Sequence, residues 1–350
     1  MTIHSLTNVR KYTLLAALVS LTTFTVSTHC MLTGLAKFKH KKLGQEVTLV
    51  GETHHHPSYE TLDLAGIASD QLNAVEAVLT KREQTENQKL HVMIEAPFKT
   101  SGYADRISYR KPSCLNSLVT YPANPKYQHT EFEDIEQRKY SGAGFLLFDT
   151  DTLSNVNPDI KITINNLEFS LYDFQVRDIK DEYESLKTFC KEYKKNFSKE
   201  NKSLFKYYMT SSGHAFDSFK DIISKLTISD SDTVQKLALQ ADQEDAARYD
   251  IPLSYQVKEE TNIRIRPALS LMLTAMVDPL FEFYLFTRIT SAKENQILMT
   301  GASHSHILQA LLQHSNNYSC EATFGSFTGK DHEKFMLTKS HFDLLGTHSN

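Results

Sequence analysis

Apolar residues fall along this chain in short unbroken runs, in stretches of helical period and in one long stretch near residue 280, and each pattern predicts a different element. Val47 to Gly51 (VTLVG), His91 to Ala96 (HVMIEA) and Gln296 to Gly301 (QILMTG) are compact runs, as strands buried on both faces are. Between the first two, from Pro57 to Arg82, apolar Leu62, Leu64, Ile67, Leu72, Val75 and Leu79 recur near the helical period. Strand, helix and strand in that order, with a helix long enough to cross over, predict a parallel βαβ unit. Gly144 to Asp149 (GFLLFD) and Glu168 to Asp173 (EFSLYD) read as two further strands, each ending in an aspartate. Residues 99–142, with Pro112, Pro122 and Pro125, read as an irregular insertion or lid over the sheet edge.

From Asp178 to Asp250 the pattern changes to long charged amphipathic helices, among them Tyr183 to Lys194 and Thr233 to Arg248, the latter behind the helix-starting Ser229, Asp230, Ser231 and Asp232. Ala268 to Thr290 is apolar and helical, and Asp278-Pro279 should bend or restart it. Asp278, Glu282 and Arg288 make this a core helix under the sheet rather than a membrane span. A helix from Ser303 to His314 follows the last core strand, and Phe324, Phe327, Phe335 and Met336 in the tail suit a final edge strand. The expected fold is therefore α/β: a mostly parallel central sheet flanked by helices, with a helical cap or inserted subdomain at about 178–266, in one domain over 31–350.

The first thirty residues stand apart. Arg10 and Lys11 precede an uncharged, mostly apolar run, which reads as a signal peptide or membrane anchor with a small-residue cleavage site at Thr25 and Ser27. Cys30 suggests lipidation, but His29 occupies a position where a small residue is wanted. The expectation is an exported protein, secreted, periplasmic or membrane-anchored, whose membrane association runs only through that segment. Cys114, Cys190 and Cys320 are too far apart for a CxxC metal site or a disulfide framework. A net charge of -4 gives no polyelectrolyte signature, and no nucleic-acid partner is expected. Lys-rich patches such as Lys37 to Lys42 read as solvated faces.

Two of the predicted strands end alike: Gly51-x-x-His54 in VTLVGETHHH and Gly301-x-x-His304 in ILMTGASHSH. A strand delivering histidine to the carboxyl edge of a parallel sheet has this form, and ligands bind at that edge in open α/β sheets. Glu52 stands beside His54, and an imidazole with a carboxylate nearby is a general base whose tautomer is set. Glu95 ends the strand HVMIE, where a buried carboxylate needs a partner or a task. Asp173 and Arg177 (YDFQVR) repeat the pattern at another strand end, Arg177 suiting an anionic group and Asp173 alternatively capping the next helix. His55, His56 and His306 extend the imidazole clusters. These donors suit a metal-free acid/base site or a divalent cation such as Mn, Co or Zn, with His54, Glu95 and His304 as ligands. No GxSxG, Walker, HExxH or GxGxxG motif occurs, which counts against serine-hydrolase, P-loop and Rossmann-cofactor readings.

GETHHHP and GASHSH, with a strand ending in Glu (HVMIEAP) and YDFQVR, resemble the superfamily of erythromycin esterases, ChaN-like haem-binding lipoproteins and TraB/TIKI proteins. The resemblance implies an α/β core with a helical cap and places Gly51, Glu52 and His54 in the first motif, Gly301 and His304 in the second, and Glu95 at the intervening strand end. For that superfamily's Arg-Asp pair upstream of the second motif the nearest residues are Asp278 and Arg288. The expected function is hydrolysis of a small-molecule or peptide substrate, with water activated by His54, His304 and the carboxylates. The alternative is a surface protein that binds haem or a similar ligand without catalysis, its many Tyr and His residues supplying axial ligands.

Overall fold

The computed structural model describes residues 31–53, 64–85, 89–95, 100–101, 127–148, 161–164, 167–170, 173–249, 264–328, 337 and 341–342. The leader, His54 to His56, Cys114, Phe335 and Met336 lie outside them. Six strands form the main sheet: β1 (Met31–His40), β2 (Glu46–Thr53), β3 (Leu90–Ile94), β5 (Thr130–Asp134), β8 (Asn295–Gly301) and β9 (Tyr318–Gly325). Their order is β5-β3-β8-β2-β1-β9. The β5–β3, β3–β8 and β8–β2 pairs are parallel, and β2–β1 and β1–β9 are antiparallel. A separate small sheet joins β4 (Thr100–Ser101), β6 (Lys161–Ile164) and β7 (Leu167–Ser170).

The core strands are apolar throughout because both faces are covered. Val47, Leu49, Met93 and Leu298 join one buried cluster, shared with the helical layer. Val50, Val92, Ile94, Ile297 and Met299 join the other, where Val75, Val78 and Leu79 of helix α1 (Leu64–Thr85) close the opposite face. The predicted βαβ unit holds in direction but not in adjacency, since β8 lies between β2 and β3.

The other face carries α2 (Lys139–Phe148), α3 (Val176–Tyr193), α4 (Lys199–Lys225), α5 (Val234–Tyr249), α6 (Ile265–Ser291) and α7 (Ala302–His314). Helix α6 is their common centre, packing against the other five. It is long and apolar enough to cross a membrane by length and composition, with 67% of that stretch buried in the fold.

Several expectations need correction. Residues 144–148 lie in helix α2 rather than a strand; the run lacks β-branched residues, and a short apolar run fits either element. The stretch 99–142 is not all irregular: β5 forms the sheet's edge strand, and its polar TEFED carries little apolar signal. The run from Glu168 does supply a strand, β7, but in the small sheet rather than the main one. Helix α6 runs unbroken through Pro279. Its packing against α4 supports the turn around the proline, where the Ser212 hydroxyl donates to the Met276 carbonyl at 2.5 Å. Lys37 is no solvated lysine: it is buried in β1, with its ammonium 3.0 Å from Glu46.

The two motif glycines differ in what they require. A Cβ on Gly51 would stand 2.5 Å from the Phe327 ring and 3.2 Å from the Ala302 backbone. On Gly301, whose φ is −51°, it would meet nothing closer than His304 at 3.6 Å. Gly51→Ala is therefore expected to destabilise by about 1–3 kcal/mol in urea denaturation, and Gly301→Ala by less than about 1 kcal/mol. A larger loss for Gly301→Ala contradicts this steric account.

Candidate active site

The parallel strands β2, β8, β3 and β5 end side by side. Glu52 pairs in register with Gly301, and Ile94 with Met299. The Glu95 amide donates to the Met299 carbonyl at 2.9 Å, and the Ile135 amide to the Ile94 carbonyl at 3.0 Å. Beyond β3 the chain continues to β5, and beyond β8 it turns through α7 to β9, in opposite directions along the sheet. Such a divergence at the carboxyl edge is where α/β sheets bind ligands.

Arg138, four residues past β5, occupies the centre of this edge. Its Nε donates to Glu136 Oε1 at 3.1 Å; its Nη1 contacts Asp278 Oδ1 at 2.7 Å and His304 Nε2 at 2.8 Å; its Nη2 donates to Glu136 Oε2 at 2.8 Å and to Glu95 Oε1. All five guanidinium N–H groups are thereby engaged. The Phe281 ring lies 4.0 Å from Cζ and meets the His304 ring edge-on at 5.4 Å. Glu95 is held at its other oxygen by the Gly301 amide, at 2.9 Å. His304 Nδ1 lies 3.2 Å from Glu282 Oε1. Helical spacing puts Asp278, Phe281 and Glu282 on one face of α6, which delivers all three to the sheet edge.

This packing sets the charges. Burial opposes the charge on Arg138, but Glu136, Glu95 and Asp278 hold it well above its ordinary value. Burial raises the Glu136 and Glu282 carboxyls. Burial also opposes protonation of His304, but Glu95, the bond to Glu282 and Asp278 outweigh it and raise the imidazole to about 9. The Arg138 contact belongs to the neutral ring, with Nδ1–H donating to Glu282. A proton on Nε2 faces Glu95 Oε1 instead, 3.8 Å away. The ring thus has two bonding arrangements separated by one proton. Close by, Glu182 of α3 accepts from the Tyr140 amide at 2.8 Å, the Ser141 amide at 3.0 Å and the Ser141 hydroxyl, capping α2 from another helix. Burial raises its carboxyl to about 7.

Of the residues expected from sequence, Glu95 and His304 meet in this cluster, and buried Glu52 stands beside Gly301. Asp173 and Arg177 are exposed near the start of α3, with no side-chain hydrogen bond or ion pair among the described residues. Gln175, rather than Asp173, holds the cap position of that helix, its backbone amide donating to Asp178 Oδ2 at 2.7 Å. His306 is exposed. Arg288 pairs with Glu133, while Asp278 finds its arginine in Arg138. Arg138, Glu136 and Glu282 were missed; the available signal was the pair of acids four apart in the otherwise apolar α6, since buried charges need partners.

No three His, Cys, Asp or Glu side chains among the described residues converge in a way that would hold a metal ion. Glu95 and His304 are both in contact with the guanidinium that lies between them. A cleft of about 580 Å³ lies at the opposite, amino-terminal edge of the strands, between Lys89, His129, Tyr193 and Arg288, and includes none of the cluster's side chains. Compared with family models, curated proteins and solved structures, the chain has no match in any of the three.

Proposed function

We propose that this protein is a hydrolase whose water-activating group is His304, assisted by Glu95, acting on a small-molecule or peptide substrate outside the cytoplasm. The observation that carries the reading is the buried Glu282–His304–Arg138–Glu95 chain at the carboxyl edge of the parallel strands. Glu282 fixes the imidazole tautomer, as an orienting carboxylate does for a general base. Asp278 retains the guanidinium when Nη1 yields its place at Nε2 to water. Once the imidazole has given up the proton it holds below about pH 9, the water proton passes to Nε2 as the water oxygen bonds to the substrate carbonyl carbon, and the imidazolium then protonates the leaving group as its bond to that carbon breaks. The N-terminal basic and apolar run supports export, and the paired Gly-x-x-His motifs support His54 as a second participant.

His304→Ala, Glu95→Gln and His54→Ala are each expected to lower turnover of fluorogenic ester or peptide substrates by about 10²–10⁴-fold, with the far-ultraviolet dichroism retained. Folded variants of His304 and Glu95 that keep wild-type turnover sink the proposal, as does a wild-type protein inert on the whole panel. A second reading, ligand binding without turnover, is favoured by the saturation of all five guanidinium donors. Haem titration tests its haem form: a saturable Soret shift without hydrolysis supports binding.

A further inference from the structure

We infer that Arg138 stands in the cation position of the cluster, so that this site operates without a divalent metal, and that removing the guanidinium converts the surrounding groups into a metal-binding site. The inference concerns the same residues as the proposed hydrolysis and rests on that reading only for the site's purpose, since its test counts ions rather than turnover.

Three carboxylates and one imidazole face the guanidinium from four different parts of the chain: Glu136 from its own loop, Glu95 from just past the end of β3, Asp278 from α6 and His304 from the first turn of α7. Oxygen and imidazole donors in this mixture suit Mn²⁺, Co²⁺ or Zn²⁺. Here, however, they are spread around a flat fork rather than converged on a point. Glu95 is committed at both oxygens, to Arg138 and to the Gly301 amide, and His304 is engaged at both nitrogens, by Arg138 and Glu282. The Phe281 face, 4.0 Å from Cζ, closes one side of the position. A guanidinium, weakly hydrated and planar, gains from that aromatic face, whereas a hydrated divalent ion would lose ligand positions there. With the guanidinium gone, Glu95, Glu136 and Asp278 lose the cation that all three contact, and a divalent cation in its place would take over that charge.

The test uses the full chain and Mn²⁺ alone. Elemental analysis is expected to find substoichiometric metal in the wild type and in Arg138→Lys, which keeps the positive charge. Arg138→Ala is expected to bind one Mn²⁺ at least about tenfold more tightly than the wild type in calorimetric titration, and to show a rise in melting temperature on adding it. If Arg138→Ala does not fold, Arg138→Gln, which removes the charge while keeping more of the volume, is read by the same titration. Stoichiometric metal in the wild type that is lost in His304→Ala overturns the inference. A folded, uncharged variant at position 138 with no gain in Mn²⁺ affinity overturns it equally. Inert wild-type protein would defeat the hydrolase reading while leaving these ion counts to stand or fall separately.

Discussion

Arg138→Met, measured at pH 7 in metal-free buffer, is expected to lower the free energy of unfolding by about 3–5 kcal/mol, the largest loss of any single substitution at the cluster. The reason is what remains rather than what is removed. Methionine approximately keeps the volume against Phe281, so lost packing is a minor part. Glu95, Glu136 and Asp278 then lose the guanidinium that all three contact, and three buried or half-buried carboxylates share only the His304 imidazole beside Glu95. Buried carboxylates in that position take up protons, so the deficit should shrink on moving from pH 7 to pH 5. Arg177→Met is the control: its side chain is exposed and has no hydrogen bond or ion pair among the described residues, and its substitution is expected to change stability by less than about 0.5 kcal/mol. Urea denaturation of both variants at the two pH values checks the claim. A loss below about 1 kcal/mol for Arg138→Met, or one unchanged at pH 5, shows that the network is not held as described.

Arg138 also marks where reading the sequence stopped short. The core strands were legible because burial on both faces leaves unbroken apolar runs, and Val47 to Gly51 and Gln296 to Gly301 could be placed to within a residue or two. His304 and Glu95 were legible because a strand end is a local feature. The insertion of β8 between β2 and β3 is a pairing between distant segments, and no local periodicity records it. Arg138 follows an edge strand of alternating polar residues, TEFED, whose exposed positions carry little hydrophobic signal. Glu282 was visible only as a charge in an apolar helix, and its partner lies on α7. The acids of α6 and the histidine of α7 become one site only once α6 is laid across the sheet edge.

The same burial makes stability fall as pH rises, over a window set by two groups. His304 has its imidazole raised from 6.5 to about 9, so the native state holds this proton more tightly than the unfolded chain does. The contribution, about 3 kcal/mol, is fully present below pH 6.5 and is lost as pH rises through 9. Glu182 behaves alike at lower pH: its carboxyl is raised from 4.5 to about 7, so its contribution is present below pH 4.5 and lost by the time pH has passed 7. Glu136 and Glu282, also raised by burial, act in the same direction. Glu133 acts in the opposite direction, being lowered by His91 and Arg288, and its stabilisation disappears only as pH falls below the ordinary carboxylate range. Unfolding free energy from urea titrations should therefore decline from about pH 5 to pH 9. His304→Gln should flatten the limb between 6.5 and 9, and Glu182→Gln the limb between 4.5 and 7. A wild-type profile that is flat from 6.5 to 9, or a His304→Gln profile with the same slope there, means that the imidazole is not held in its charged form by Glu95 and Glu282. In that case the neutral ring bonded to Arg138 persists across the whole range, and His304 can take a proton from water without first giving one up.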